Sequence, residues 1–160
     1  MFKRGFTLIE LLIVIAVIAI LVGIAVPRFL GMRDEGNAAK AAAECSTLKA
    51  AVEAYRIHDP QNRLPATGAT WENVLLATRP QIIDVALLDP FSTTTPRAQY
   101  SYARSANGEF YAIYSIGHDR ETDIGGIGND GVITLAGSCT EYTATCTATE
   151  DVFATNGTAP

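Results

Sequence analysis

Few side chains in this chain of 160 residues could do chemistry, and most are acidic. Asp119, Glu121, Asp123, Asn129 and Asp130 are interspersed with Gly117, Gly125, Gly126 and Gly128. Calcium takes six to eight oxygens, and carboxylates mixed with backbone carbonyls of a glycine-rich loop can supply them. The spacing is not that of an EF-hand, because the glycine and the closing glutamate are misplaced. Composition alone therefore leaves a metal loop and a solvated acidic turn both open. No HExxH, CxxC or cysteine–histidine pattern supports zinc or a nucleophile, and His58 and His118 lie far apart in sequence. Gly125-Gly126-Ile127-Gly128 opens no evident helix, so a phosphate cradle has little support. Nothing resembles a catalytic constellation, and the reading is not an enzyme.

The remaining candidate is Glu10. It is the only strongly polar side chain between Phe6 and Val26. About 20 apolar residues at 1.5 Å each cover the roughly 30 Å hydrocarbon core of a bilayer. A carboxylate within such a span is costly and functional by default, so a cationic partner is expected. A free α-amino group at Phe6 would supply one. Lys3 and Arg4 precede the span, which favours a cytoplasmic N-terminus with the remainder outside, where cysteines can pair. A conventional secretory signal, cut near Gly23-Ile24-Ala25, would have a shorter apolar run and no internal acid. An uncleaved anchor fits the length but gives Glu10 no role.

The run Lys3-Arg4-Gly5-Phe6-Thr7-Leu8-Ile9-Glu10, with the apolar stretch after it, resembles the N-terminus of type IV prepilins and of type II secretion pseudopilins. The resemblance implies removal of a leader, residues 1–5, by a prepilin peptidase after Gly5. It also implies N-methylation of Phe6 and a role for Glu10 in assembly, by pairing with a neighbour's Phe6 amine. Losing Lys3 and Arg4 leaves 10 basic against 17 acidic residues, near −7, from a whole-chain charge of −5. That balance argues against broad electrostatic binding of DNA, and there is no direct evidence for nucleic acid as a partner.

The elements that must position these groups follow in order. Residues 6–26 form the transmembrane and assembly helix. Pro27, Gly31 and Gly36 predict a kinked, less regular segment over about 24–36, and the family also carries a proline near this point. From Asn37, Ala38, Ala41, Ala42, Cys45, Leu48, Val52 and Tyr55 recur at three- and four-residue steps. They predict an apolar stripe, with Lys40, Glu44, Lys49, Glu53 and Arg56 off it, closing the 27–58 region at Asp59-Pro60. A globular α+β part over 59–160 follows. Trp71 to Leu76 reads as a short helix with Thr70 as N-cap, and residues 82–88 as a short apolar run. Residues 99–103 and 109–115 read as an antiparallel hairpin around Asn107-Gly108, whose tyrosines (Tyr100, Tyr102, Tyr111, Tyr114) face the helix in part and solvent in part. Residues 131–135 are a third strand and 141–145 a possible edge strand. The fold class is α+β: a long N-terminal helix packed on a small antiparallel sheet of about three to four strands.

The globular half extends the resemblance. Leu88-Asp89-Pro90-Phe91, the tyrosine-rich hairpin and the acidic loop 117–131 are similar to the major pseudopilin, whose corresponding loop binds calcium. That likeness implies calcium as cofactor, with Asp119, Asp123, Asn129 and Asp130 as ligands. Phe91-Ser92 stands where that family has Trp-Gly, Arg120 replaces a usual glycine, and about thirty residues follow the loop. The loop 139–146 resembles the C-terminal disulfide loop of type IV pilins, implying a Cys139–Cys146 bridge across six residues, about 2–3 kcal/mol in the chain-entropy model. Cys45 falls on the apolar stripe as a buried thiol. Asn156-Gly157-Thr158 matches a glycosylation acceptor in form only.

The implied function is a structural subunit of a type IV pilus-like filament, with the major pseudopilin of a type II secretion system, calcium-stabilised and periplasmic, as the alternative. The implied partners are further copies of the chain, prepilin peptidase, an inner-membrane assembly platform and minor pilins or pseudopilins. The implied location is a single-pass inner-membrane state, then an extracellular pilus or periplasmic pseudopilus.

Overall fold

A computed structural model describes residues 6–120, 122–135 and 153–158. Helix α1 spans Leu8–His58. The chain divides into two compact units, residues 1–36 and 37–160.

In the first unit every described residue through Gly36 is exposed, and apolar side chains follow one another from Phe6 to Met32. The less regular segment over 24–36 is not found, because α1 is helical at every residue from Leu8 to His58 with Pro27 inside it. Proline removes a single N–H, and the flanking Leu21, Ala25, Phe29, Leu30 and Met32 sustain the helix around that gap.

In the second unit the stripe on α1 is real but one residue differs. Ala41, Cys45, Leu48, Ala51 and Val52 are buried, with Ala38 and Tyr55 packed at the margin, whereas Ala42 is exposed. The true stripe runs 41, 45, 48, 52, and a residue one step past 41 is rotated about 100° off it.

The predicted hairpin forms as β1 (Ser101–Arg104) and β2 (Tyr111–Tyr114), with Tyr102 opposite Ile113 and Arg104 opposite Tyr111. The turn between them holds Gly108 at φ +73°, in the left-handed region that glycine tolerates. A third strand, β5 (Phe153–Thr155), joins the free side of β2 to give the order β1-β2-β5. From the sequence, no element is assigned to this end of the chain. Asn156 anchors it, accepting from the Tyr111 backbone N–H at 2.8 Å and donating to the Glu109 carbonyl at 2.9 Å. The strand expected at 131–135 exists as β4 (Ile133–Leu135), but it pairs with β3 (Ile124–Ile127) in a separate two-stranded sheet. The edge strand expected at 141–145 lies outside the described residues.

Alternation along β2 sends side chains to opposite faces. Tyr111 and Ile113 pack with the α1 stripe, Leu64, Trp71, Leu75 and Tyr102. Ala112 and Tyr114 pack with Ile124, Ile127, Ile133 and Phe153 of the second cluster. The second face of the hairpin is therefore covered, and Tyr114 is half-buried rather than exposed. Gly131, at φ +80°, passes under the Phe110 ring, where an added Cβ would come within 2.9 Å of the ring carbons.

Truncation separates the true stripe from its neighbours. Leu48→Ala, at a fully buried position, should cost about 2–5 kcal/mol in denaturant unfolding of the detergent-solubilised chain. Ala42→Ser, on the exposed side, should stay within about 0.5 kcal/mol.

Candidate assembly site and the supports of the globular unit

Glu10 is held at the start of α1. Its Oε2 accepts the backbone N–H of Thr7 at 2.8 Å and the Thr7 hydroxyl at 2.8 Å. In return the Glu10 N–H donates to Thr7 Oγ1 at 3.3 Å. This is a capping box, in which Thr7 as N-cap and Glu10 at N3 satisfy each other's otherwise orphaned donors. The helix dipole favours an acid at this end as well. The carboxylate thus has a local partner within its own subunit. Sequence reasoning missed Thr7, although the Thr-x-x-Glu spacing before an apolar run was the available signal. Phe6, 83% exposed, directly precedes the box. Gly5 lies outside the described residues.

In the globular unit, the resemblance-bearing Asp89 is buried. Its Oδ1 accepts the Phe91 N–H at 2.9 Å and the Ser115 hydroxyl at 2.8 Å, and its Oδ2 accepts the Ile116 N–H at 3.0 Å. Asp89 thereby ties the segment before β1 to the exit of β2, and burial without these donors would be prohibitive. Trp71 stacks on Tyr102 with ring centroids 4.5 Å apart, and its Nε1–H donates to the Tyr100 carbonyl at 2.7 Å. With its side chain so used, Trp71 is the N-cap of α2 (Glu72–Ala77) without a side-chain cap bond, displacing Thr70 from that role.

Two glutamates that flank the apolar stripe of α1 are partners of the tyrosine-rich segment. The Tyr100 hydroxyl donates to Glu44 Oε2 at 2.6 Å, and the Tyr111 hydroxyl to Glu53 Oε1 at 2.7 Å. Burial first, then these bonds, push both phenols above their ordinary range. Burial, reinforced by the charges of Asp89, Glu44 and Glu72, pushes the Cys45 thiol up to about 12, so it stays protonated and unreactive.

The calcium ligands that the resemblance implies fall on both sides of a strand. Strand β3 occupies residues 124–127 in the middle of the expected loop, with Asp119 and Asp123 before it and Asn129 and Asp130 in the turn after it. Four strand residues extend about 13 Å. Asn129 Oδ1 accepts the Asn107 N–H at 2.9 Å, Asp130 Oδ1 accepts the Val132 N–H at 3.1 Å, and Asp119 and Asp123 each have interactions of their own. Among the described residues no three acidic, histidine or cysteine side chains come together as a metal group, and Glu121 is not described. Cys139 and Cys146 lie outside the described residues.

Residues 1–26 match the family model of the prokaryotic N-terminal methylation motif. The type II secretion system core protein G of Klebsiella pneumoniae is 26% identical over 132 residues, 81% of this chain and 87% of that protein. The corresponding protein of Klebsiella michiganensis is 29% identical over 134 residues, 81% of this chain and 86% of its own. The type IV narrow pilus major component PilA5 of Thermus thermophilus is 52% identical, but over 48 residues, 30% of this chain and 41% of that protein. No solved structure matches the chain. Together with the apolar helix and the α+β unit, these likenesses support membership of the type IV pilin and type II secretion pseudopilin family. The chain is a pilin-like subunit.

Removing the cap tests the box. Thr7→Ala should fray the first turn of α1, read as faster amide exchange at Glu10 and Leu11 in micelles, while the exchange of Leu48 and Val52 stays unchanged.

Proposed function

We propose that this chain is the structural subunit of a secretion-type pseudopilus, polymerised through α1 after cleavage behind Gly5 and methylation of Phe6. The observation that carries this reading is coverage. Likeness to the secretion core protein G runs through the globular unit, over 81% of the chain. The helix is apolar enough over its first part to cross a membrane, which supports a single-pass precursor. In a filament the apolar surface from Phe6 to Met32 leaves lipid and is buried against sister helices. The Thr7–Glu10 box holds the carboxylate beside the new N-terminus. A neighbour's Phe6 amine can then meet an acid whose position is already set, fixing axial register. Prepilin peptidase, a membrane assembly platform and minor subunits are the partners this assembly requires.

A surface type IV pilus is the second reading, and two observations favour it: the 52% identity to PilA5 over 48 residues, and the resemblance of the Cys139 to Cys146 stretch to a pilin C-terminal loop. Fibres sheared from intact cells that contain this subunit would select the second reading, and subunits recovered only in the periplasm would select the first. Under either, Glu10→Ala should leave insertion intact and abolish filaments by electron microscopy. Normal filaments from that variant would remove Glu10 from the assembly mechanism.

Calcium on the β3–β4 hairpin is a separate proposal, supported by the resemblance of the 117–131 segment. With its side chains divided between two strand ends, an ion there would lean on backbone carbonyls. A melting temperature that rises with calcium and falls with chelator keeps it, and an unchanged one removes it.

A further inference from the structure

Glu72, the first residue of α2, is wholly buried. One carboxyl oxygen, Oε2, accepts the backbone N–H of Leu87 at 2.7 Å, fifteen residues downstream. The other, Oε1, is sealed from solvent and has no hydrogen-bond partner. Nothing cationic compensates it among the described residues: the two ion pairs found there are Lys40–Glu44 and Arg63–Asp59. The charge acting against it is that of Glu44 on α1, and the neighbouring Cys45 thiol, which faces Asp89 as well, also ionises to an anion. The Tyr100 hydroxyl, ahead of β1, is committed to Glu44. An ionised carboxylate with one oxygen unsolvated is costly in such a place, whereas the neutral acid keeps the Leu87 bond at far lower cost.

We infer that Glu72 is a pH-operated latch, holding the segment that leads from α2 to β1 when neutral and releasing it to water when ionised. The Leu87 bond is the hinge of the argument. It is the hydrogen bond of ordinary geometry from that segment to the Glu72 carboxyl, the Tyr100 N–H being a second backbone donor that faces it, and hydrating Oε1 requires the segment or α2 to move aside. Burial, opposed by backbone N–H groups of Leu87 and Tyr100 and reinforced by the charge of Glu44, raises the acid from 4.5 to about 7. A folded-state value above the unfolded one means the closed form binds the extra proton. The stabilisation is therefore complete below 4.5 and lost as pH rises through about 7.

The test uses the full chain in detergent micelles. Carbon-13 NMR of the side-chain carboxyls should place the Glu72 midpoint near 7, apart from the other glutamates. After correction for intrinsic chemistry, protection of the Leu87 amide should fall about tenfold per pH unit between 5 and 7 and level off above, as one-proton linkage requires. Glu72→Gln should flatten that dependence. A Glu72 midpoint below 5, or Leu87 protection independent of pH, would overturn the latch. Should the glutamine variant fail to fold, the titration of the native carboxyl decides alone. Both readouts are independent of whether the subunit belongs to a pseudopilus or a pilus.

Discussion

The first part of α1 presents apolar surface on every side, exposed at each described residue through Gly36. A helix hydrophobic all round is stable only in lipid or among other helices. From Phe6 to Met32 large side chains stand exposed, Leu8 at 81% and Met32 at 69%. That single constraint requires a membrane before assembly and neighbouring copies after it. The remaining features work within it, including a lone acid at the helix start and a second unit that is an ordinary soluble fold.

The acid at position 10 illustrates how a functional group can be prepared without being consumed. Thr7 and Glu10 close the helix N-terminus on each other, so the carboxylate is oriented and locally satisfied before any neighbour arrives. A charge held in place in this way needs less ordering to pair with any partner than a mobile one would, which lowers the entropic cost of pairing.

The globular unit is organised by one helix stripe and by the alternation of one strand. Ala41, Cys45, Leu48 and Val52 cover the Tyr111 and Ile113 face of β2, while the β3–β4 pair covers the Ala112 and Tyr114 face. Polar groups that must go inside are bonded there. Asp89 takes three donors, and Tyr100 and Tyr111 reach Glu44 and Glu53 across the helix–sheet boundary. Three buried oxygens among the described residues are left without a partner, on Gln99, Tyr102 and Glu72, and of these only the Glu72 carboxyl can ionise in the neutral range, which makes its surroundings sensitive to protons.

Patterns short enough to be read along the chain were legible without coordinates. The uninterrupted apolar run with Glu10 inside it, the helical periodicity after Asn37 and the hairpin around Asn107-Gly108 each reflect a local rule of length, period or turn geometry. The Thr7–Glu10 box was equally local, a three-residue spacing that announces itself before an apolar run. Other features depended on groups far apart in sequence. That β5 returns to β2, that β4 prefers β3 to the hairpin, and that a glycine-rich acidic stretch contains a strand dividing Asp123 from Asp130 are outcomes of long-range pairing. Composition cannot foresee such pairings, because a strand's partner is chosen by which faces remain uncovered. The same holds for Glu44, Glu53 and Glu72, identical in type and all helical, whose roles diverge only through what the tertiary fold sets opposite them.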